Sequence, residues 1–454
     1  VLQRCAAAHT AVLLSLVLCA CAQDDASPAV TDSEPHGNAA RDAGGRDQAA
    51  DASGGTRKPT RDAGARSERD AAAMQDAARA IEPIDDDTSD DALSSPDTSD
   101  ASAGEQPARG DAGVASACSD SCPKQGGVDW LCHLRFMYGT NYAWHHFGSD
   151  FGGNAKWNQQ GVSKNADVER ELGEMAAQGV NVLRWWIFPD FRGDGIRFDA
   201  QDKPLGLGGT AVADLTRALE LAEQHDLYLM LTLFSFDNFR PTKEMDGLRA
   251  RSIRPLVLDA AARKGLMDTV VRPIAQTVAK SPHHQRVIAW DVINEPEWAI
   301  TGASKYGGDP TFDANPELLA ISHDQMETFL RDVIVVLREE SEALVSVGSA
   351  AVKWRFAWSK LDVDFHQFHI YDWVNQYFPY SRSPSEYGVN DKPVVMGEFP
   401  SQGLMGVSYD KLVESWYSNG YGGSLSWAYS DPMFGGNLSA LSQVAKKHAC
   451  ETRY

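Results

Sequence analysis

Between residues 22 and 117 the chain has no Phe, Trp or Tyr, and that absence removes the segment from any folded core. The same segment holds 21 Asp and Glu against 9 Lys and Arg, a net of −12 out of −21 for the whole chain. Ala, Asp, Gly and Ser dominate it, and such a composition cannot bury enough apolar area to offset the entropy of ordering. It reads as a flexible acidic tether. Arg41-Asp-Ala-Gly returns as Arg61-Asp-Ala-Gly, but with no regular period, so the repetition is one of composition rather than of folded units. Long apolar runs are also scarce. Ala11–Leu18, behind the basic Arg4, is too short to span a bilayer and fits the core of an export signal over residues 1–21. The acidic balance excludes nucleic acid as a partner.

Cysteine is sparse as well, with 7 in 454 residues. Leu18-Cys-Ala-Cys21 is similar to the bacterial lipoprotein cleavage box, which implies a lipid on Cys21 and a membrane or cell-surface location; plain secretion is the alternative. Setting aside Cys5, Cys19 and Cys21 leaves Cys118, Cys122, Cys132 and Cys450, an even number at the two edges of residues 118–454. In an oxidising compartment these are expected to form disulfides, one tying the N-terminal cluster to Cys450. Zinc is the rival for four cysteines, and Cys-x3-Cys-x9-Cys with a distant fourth member is poor spacing for it. No G-x-S-x-G elbow is present, and Gly206-Leu-Gly-Gly209 follows no strand and matches no phosphate loop. No metal and no cofactor are expected. His145-His146 and His283-His284 lack partners at ligand spacing and read as loop or surface histidines.

What remains, from Arg135 onward, alternates strand and helix. Strands are expected at Phe136–Trp144, Val180–Phe188, Leu227–Phe234, Val287–Ile293, Ala343–Val347, Phe365–Tyr371, Val394–Glu398 and Ser424–Tyr429. Helical spacing of apolar residues covers Asp167–Gln178, Ala211–His225, Leu256–Lys280, which Pro273 should interrupt, and Glu317–Glu340. The fifth and sixth helices are faint. Eight such units over about 320 residues fit an α/β fold of the (β/α)8 TIM-barrel type.

Two of these strands end alike. Val287-Ile-Ala-Trp-Asp-Val-Ile-Asn-Glu-Pro296 is a buried run closed by proline, which removes a donor and disfavours helix before it. Pro393-Val-Val-Met-Gly-Glu-Phe-Pro400 repeats the design. Each places a glutamate at the carboxyl end of a strand, where barrels keep their chemistry. Singly, either carboxylate could merely pair with an arginine at a sheet end; together they point to acid/base and nucleophilic work on a glycosidic bond.

These motifs resemble those of the clan-A retaining glycoside hydrolases, and nearest among them glycoside hydrolase family five, the cellulase and mannanase family. Val182-Leu-Arg-Trp-Trp-Ile-Phe-Pro-Asp190 and Phe365-His-Gln-Phe-His-Ile-Tyr-Asp-Trp373 are similar to the second and sixth strands of its endo-β-mannanase group. The resemblance covers residues 135–430. It implies Glu295 as general acid/base and Glu398 as nucleophile, on strands four and seven, which face each other across a barrel. A retaining enzyme needs the two roughly 5–5.5 Å apart. Glu295 must then start protonated, and Glu398 ionised beside a cation, for which Arg184 is the match.

By the same resemblance Asn294 meets the sugar's 2-hydroxyl, Tyr371 donates to Glu398, and His369 lies two residues away on the same strand face. Trp427 suits a stacking floor. Trp144, Trp185, Trp186, Trp298, Trp354, Trp358 and Trp373 fall at strand ends, where flat rings bind the C–H faces of sugars. Trp144 and Trp298 are the platforms expected to touch substrate; of the adjacent Trp185 and Trp186 at most one can see the pocket. Asp150, Asp190, Asp237 and Asp431 have no assigned role. Two departures stand out: the third strand ends Leu233-Phe-Ser-Phe-Asp-Asn238, and Glu297-Trp298 follows Pro296 where mannanases commonly have arginine. The implied protein is a monomeric enzyme acting on β-linked polysaccharide or oligosaccharide, with β-1,4-mannan favoured. A β-glucanase of the same family and a sugar-binding lipoprotein without catalysis are the alternatives.

Overall fold

The computed structural model describes residues 126–454 apart from 374–380 and 432–435. The expected signal, the tether, Cys21, Cys118 and Cys122 therefore lie outside the described residues.

Eight parallel strands close into a barrel. In chain order they are β1 (Met137–Asn141), β2 (Val182–Trp186), β3 (Tyr228–Ser235), β4 (Val287–Asn294), β5 (Leu344–Ser349), β6 (His366–His369), β7 (Val394–Glu398) and β8 (Gly423–Ser426). Each coincides with an expected strand, trimmed or extended at its ends. Every residue of β1, β2, β4, β5, β6, β7 and β8 is buried, as strands covered on both faces must be. That double burial is why the sequence shows apolar runs rather than alternation.

Helices α1 (Ala166–Ala177) and α2 (Ala211–Gln224) follow β1 and β2. The region after β3 is broken into Arg254–Leu258, Ala260–Leu266, a π-helical turn at Met267–Val271 and Arg272–Lys280. Pro273 falls just after the π-helical turn, in a run that stays helical from Ala260 to Lys280, so the hydrogen-bond register changes there but the helix continues. After β4, the helix His323–Glu340 begins later than Glu317 because a Ser322/Gln325 capping box sets its start. Among the described residues, β5 and β6 are followed by 3-10 turns, such as Val352–Trp354 and Pro384–Tyr387, in place of α-helices. The faint helical signal there has that cause. Tyr409–Ser418 and Leu438–Lys447 complete the ring after β7 and β8.

The ends of the domain meet beneath the barrel. An antiparallel ribbon of Val128–Trp130 and His133–Arg135 receives the C-terminal residues. Tyr454 Oη donates to Val128 O at 2.9 Å, and Arg135 Nε to Arg453 O at 2.9 Å. Cys132 and Cys450 are both disulfide-bonded.

Candidate active site

The upper interior of the barrel is polar, and Arg184 on β2 is its centre. Its side chain is fully buried, so each donor needs an acceptor. Nε and Nη2 donate to Asp291 Oδ2 at 2.9 and 2.7 Å, Nη2 also to Asn294 Oδ1 at 2.8 Å, and Nη1 to Asn141 Oδ1 at 2.9 Å and Glu398 Oε1 at 2.6 Å. One guanidinium thus balances two buried carboxylates. Asp291 is held further by Thr232 Oγ1 at 3.1 Å and the Gly348 amide at 2.8 Å. A Cβ at Gly348 would stand 2.9 Å from Arg184 Nη2 and 3.0 Å from Asp291 Oδ2, so glycine there leaves room for the pair.

Glu398 ends β7 and accepts from Arg184 on one oxygen and from Tyr371 Oη on the other, at 2.9 Å. Glu295 sits immediately beyond β4 in the left-handed region, with φ of 48°, and its amide donates to Gly348 O at 2.6 Å. This turn swings its side chain toward β6. There His369 Nδ1 lies 2.8 Å from Glu295 Oε1 and 3.4 Å from Glu398 Oε1. Trp298 Nε1 donates to Glu295 Oε2 at 2.7 Å. Ligand atoms of Glu295, His369 and Glu398 all lie within 4.8 Å of one another. The register between β6 and β7 shifts just where His369 pairs with Glu398, which helps bring the imidazole between the carboxylates.

Burial raises the pKa of both carboxyls, and their surroundings then separate them. Glu398 has the guanidinium and the Tyr371 hydroxyl to hold its charge. Glu295 is opposed by burial and by the charge of Glu398, and is raised well above the usual carboxylate range. A single proton shared by the pair therefore rests on Glu295. Burial and Arg184 push His369 well below its ordinary value, so it stays neutral. Burial lifts Glu398 despite Arg184, whereas the sequence alone leads one to expect a plainly ionised group.

The aromatic residues divide by face. Trp186 packs against Trp144 at 5.2 Å and Trp427 at 5.7 Å, beside Tyr371, while Arg184 lies over its ring at 5.5 Å. Trp427 Nε1 donates to Asp431 Oδ2 at 2.9 Å, and a cis peptide joins Trp427 to Ala428. Its neighbour Trp185 turns outward against Tyr142 and Phe151 and donates to Asp150, so only Trp186 faces the cleft. Trp358 belongs to the scaffold, donating to Glu297 Oε1 at 2.7 Å. Glu297, at the position that departs from the mannanase pattern, is fully buried and also bound by Ser349 Oγ and the Ala350 amide. Asp150 is equally structural: the His145 and His146 amides and Trp185 all donate to it. Asp237 and Asp190 pair with Arg240 and Arg192.

The structure thus gathers Glu295, Glu398, Arg184, Asn294, His369 and Tyr371 into one site, with Trp298 on one side and Trp144 and Trp427 on the other. Sequence reasoning passed over Asp291, Asn141 and Gln367, and left open which of Trp185 and Trp186 faces the cleft. A lone Asp inside the apolar run Val287–Ile293 was the available signal for the first of these.

Two buried glutamates at the ends of the fourth and seventh strands of a closed (β/α)8 barrel define a site of the glycoside hydrolase type. No family model matches the chain. Its sequence is similar to a mannan endo-1,4-β-mannosidase of Mytilus edulis, with 24% identity over 353 residues, 69% of this chain and 89% of the relative. It is also similar to one of Cryptopygus antarcticus, with 26% identity over 352 residues, 67% and 82% of the two chains. The fold superposes on the β-mannanase of blue mussel with a TM-score of 0.59 at 22% identity, covering 73% of this chain and 98% of that one. For the Cryptopygus antarcticus β-1,4-D-mannanase the values are 0.60, 21%, 73% and 96%. In sequence and in fold the chain is similar to endo-β-mannanases of glycoside hydrolase family five.

Proposed function

We propose that the chain is a retaining glycoside hydrolase that cleaves β-1,4-mannan by double displacement. The observation that carries this is the asymmetry of the carboxylate pair: atoms of both approach within 4.8 Å, and only Glu398 is held by a guanidinium. That proximity suits the close pair of a retaining enzyme rather than the wider pair of an inverting one, which must leave room for a water beside its catalytic base.

In the first step an oxygen of Glu398 attacks the anomeric carbon. The bond to the leaving oxygen breaks, and Glu295 gives that oxygen its proton. In the second, Glu295, now ionised, takes a proton from water. The water oxygen attacks the anomeric carbon, and Glu398 departs as carboxylate. Arg184 and Tyr371 hold the charge that returns to Glu398, and Trp298 and His369 aim Glu295. Asn294 offers Nδ2 to the sugar 2-hydroxyl, since its Oδ1 is taken by Arg184. Trp427, Trp144 and Trp186 floor the ring on the nucleophile's side. No metal enters this scheme, because the cation at Glu398 is the arginine itself.

The substrate follows from the names of the relatives, with β-glucan as the competing polymer and sugar binding without cleavage as the competing function. Incubation with soluble β-mannan, β-glucan and xylan, assayed for new reducing ends, separates the three. New ends from mannan, first released as the β-anomer, are expected; binding without new ends would refute the enzyme. We further propose a monomer exported and held to a membrane by lipid at Cys21, for which the acidic tether supplies reach. A Cys21→Ser variant that still sediments with membranes would contradict the anchor.

A further inference from the structure

Around Trp298 the loops after β4, β5 and β6 build a second aromatic group, whose Trp373 also packs against the cluster of Trp186, Tyr371 and Trp427. Trp298 lies 5.7 Å from Trp354 and 5.1 Å from Trp373. Lys353 Nζ stands 3.8 Å over the Trp354 ring and 4.8 Å from the Trp373 centroid. Trp354 is only 2% exposed and is stacked on Phe312, so it offers little open face. Trp298 and Trp373 are partly open, and Lys353 lies over the buried indole of Trp354 and beside Trp373.

The half-buried ammonium is the unusual member. Among the described residues, no carboxylate lies within ion-pair distance of it. Glu297 and Asp313 act on it only from farther off, and burial pulls its pKa down to about 8. An aromatic face stabilises a cation but accepts no hydrogen bond in the usual sense, so among the described residues the ammonium's N–H donors have no side-chain carboxylate to bond. Trp298 fixes which side of the cleft this is. Its indole N–H binds Glu295, the group that must sit beside the leaving oxygen.

We propose that Lys353 is a specificity-determining residue of the leaving-group subsite, where its ammonium donates to hydroxyls of the departing sugar flanked by Trp298 and Trp373. The proposal rests on Glu295 being the acid/base. A neutral sugar supplies what the aromatic cradle lacks: oxygen acceptors on its rim and apolar C–H faces for the two open indoles. The lysine's aromatic seat holds it in place before substrate arrives, which lowers the ordering cost of binding.

The test compares two substrates in the same protein preparation. A β-1,4-manno-oligosaccharide places a sugar in the leaving-group subsite. A dinitrophenyl β-mannobioside places there a flat group without hydroxyls, and it needs no proton from Glu295. In Lys353→Met the ratio of kcat/KM for the oligosaccharide to that for the aryl compound should fall about tenfold or more, the loss expected for one charged hydrogen bond. Lys353→Arg, which keeps a cation, should recover most of that ratio. Turnover of the aryl compound reports that the variant is folded. An unchanged ratio in Lys353→Met, or an equal fall in Lys353→Arg, would overturn the assignment. Wild-type protein that cleaves neither compound would overturn the hydrolase itself, and this subsite with it.

Discussion

Replacing Arg184 with methionine removes one cation from between two buried carboxylates. The side chain makes two bonds to Asp291 and one each to Asn294, Asn141 and Glu398, all in a fully buried setting. Breaking a buried ion pair by deleting one partner costs about 3–5 kcal/mol, because the charge left behind is uncompensated. At roughly 2 °C per kcal/mol for a domain of this size, the unfolding midpoint should drop by about 6–10 °C. The loss should depend on pH in a definite sense. Without Arg184 the pKa of Glu398, already raised by burial, rises further above its unfolded value of about 4.3. An acid raised in this way takes up protons on folding. Its contribution is fully present below the unfolded value and is lost as pH climbs through the folded one. The deficit of Arg184→Met against wild type should therefore be larger near about pH 8 than near about pH 5. Activity needs ionised Glu398, so the acid limb of the pH profile should move upward, and kcat/KM should fall on the order of 10²–10³-fold, as when one preorganised donor is lost. Thermal melts at the two pH values together with a pH–rate profile measure all three. A midpoint within about 1 °C of wild type at both would refute the reasoning, since a 3–5 kcal/mol loss could not hide there.

Glu295→Ala should stall after forming the covalent intermediate from a dinitrophenyl glycoside, and added azide should restart turnover as the β-glycosyl azide; the α-azide would reverse the two roles. The unmodified enzyme should show a bell-shaped pH profile, with ionised Glu398 setting the acid limb and protonated Glu295 the alkaline one, and Glu295→Gln should lose the alkaline limb when assayed on the aryl substrate. Mass spectrometry of unreduced peptides should find two disulfides among Cys118, Cys122, Cys132 and Cys450, with Cys450 joined to the N-terminal cluster; a Cys450 bonded to anything outside that cluster would contradict the arrangement.

All eight strands could be read from the sequence, since doubly covered strands leave β-branched apolar runs that turns and prolines punctuate. The same holds for Glu295 and Glu398, whose Asn-Glu-Pro and Gly-Glu-Phe settings end such runs. The network beneath them was harder to foresee. Arg184 was expected beside Glu398, 214 residues away, only through the family resemblance, and its bond to Asp291, across 107 residues, is announced by nothing local in either strand. Asp291 stood out only as a lone acid in an apolar run, and nothing in its spacing names its partner. Glu297 offers the opposite lesson. Its position beside Pro296 invites a role at the substrate, yet Ser349, the Ala350 amide and Trp358 turn it into the scaffold of the loop after β5. Trp185 and Trp186 were separable in principle, since alternation sends one inward, but which one depended on the register of β2. The turns after β5 and β6 could not be distinguished from weak helices, because their tryptophans pack into loops rather than along a helix face.

The central claim is that Glu398 becomes covalently attached to the sugar. A 2-deoxy-2-fluoro-β-mannosyl donor with a good leaving group forms the intermediate and slows its hydrolysis, so the adduct accumulates. Digestion and peptide mass spectrometry of the inactivated protein should place one sugar on Glu398, within Val394–Phe399, and none on Glu295. A label on Glu295, or a protein that releases the α-anomer with no adduct under the same conditions, would contradict the account.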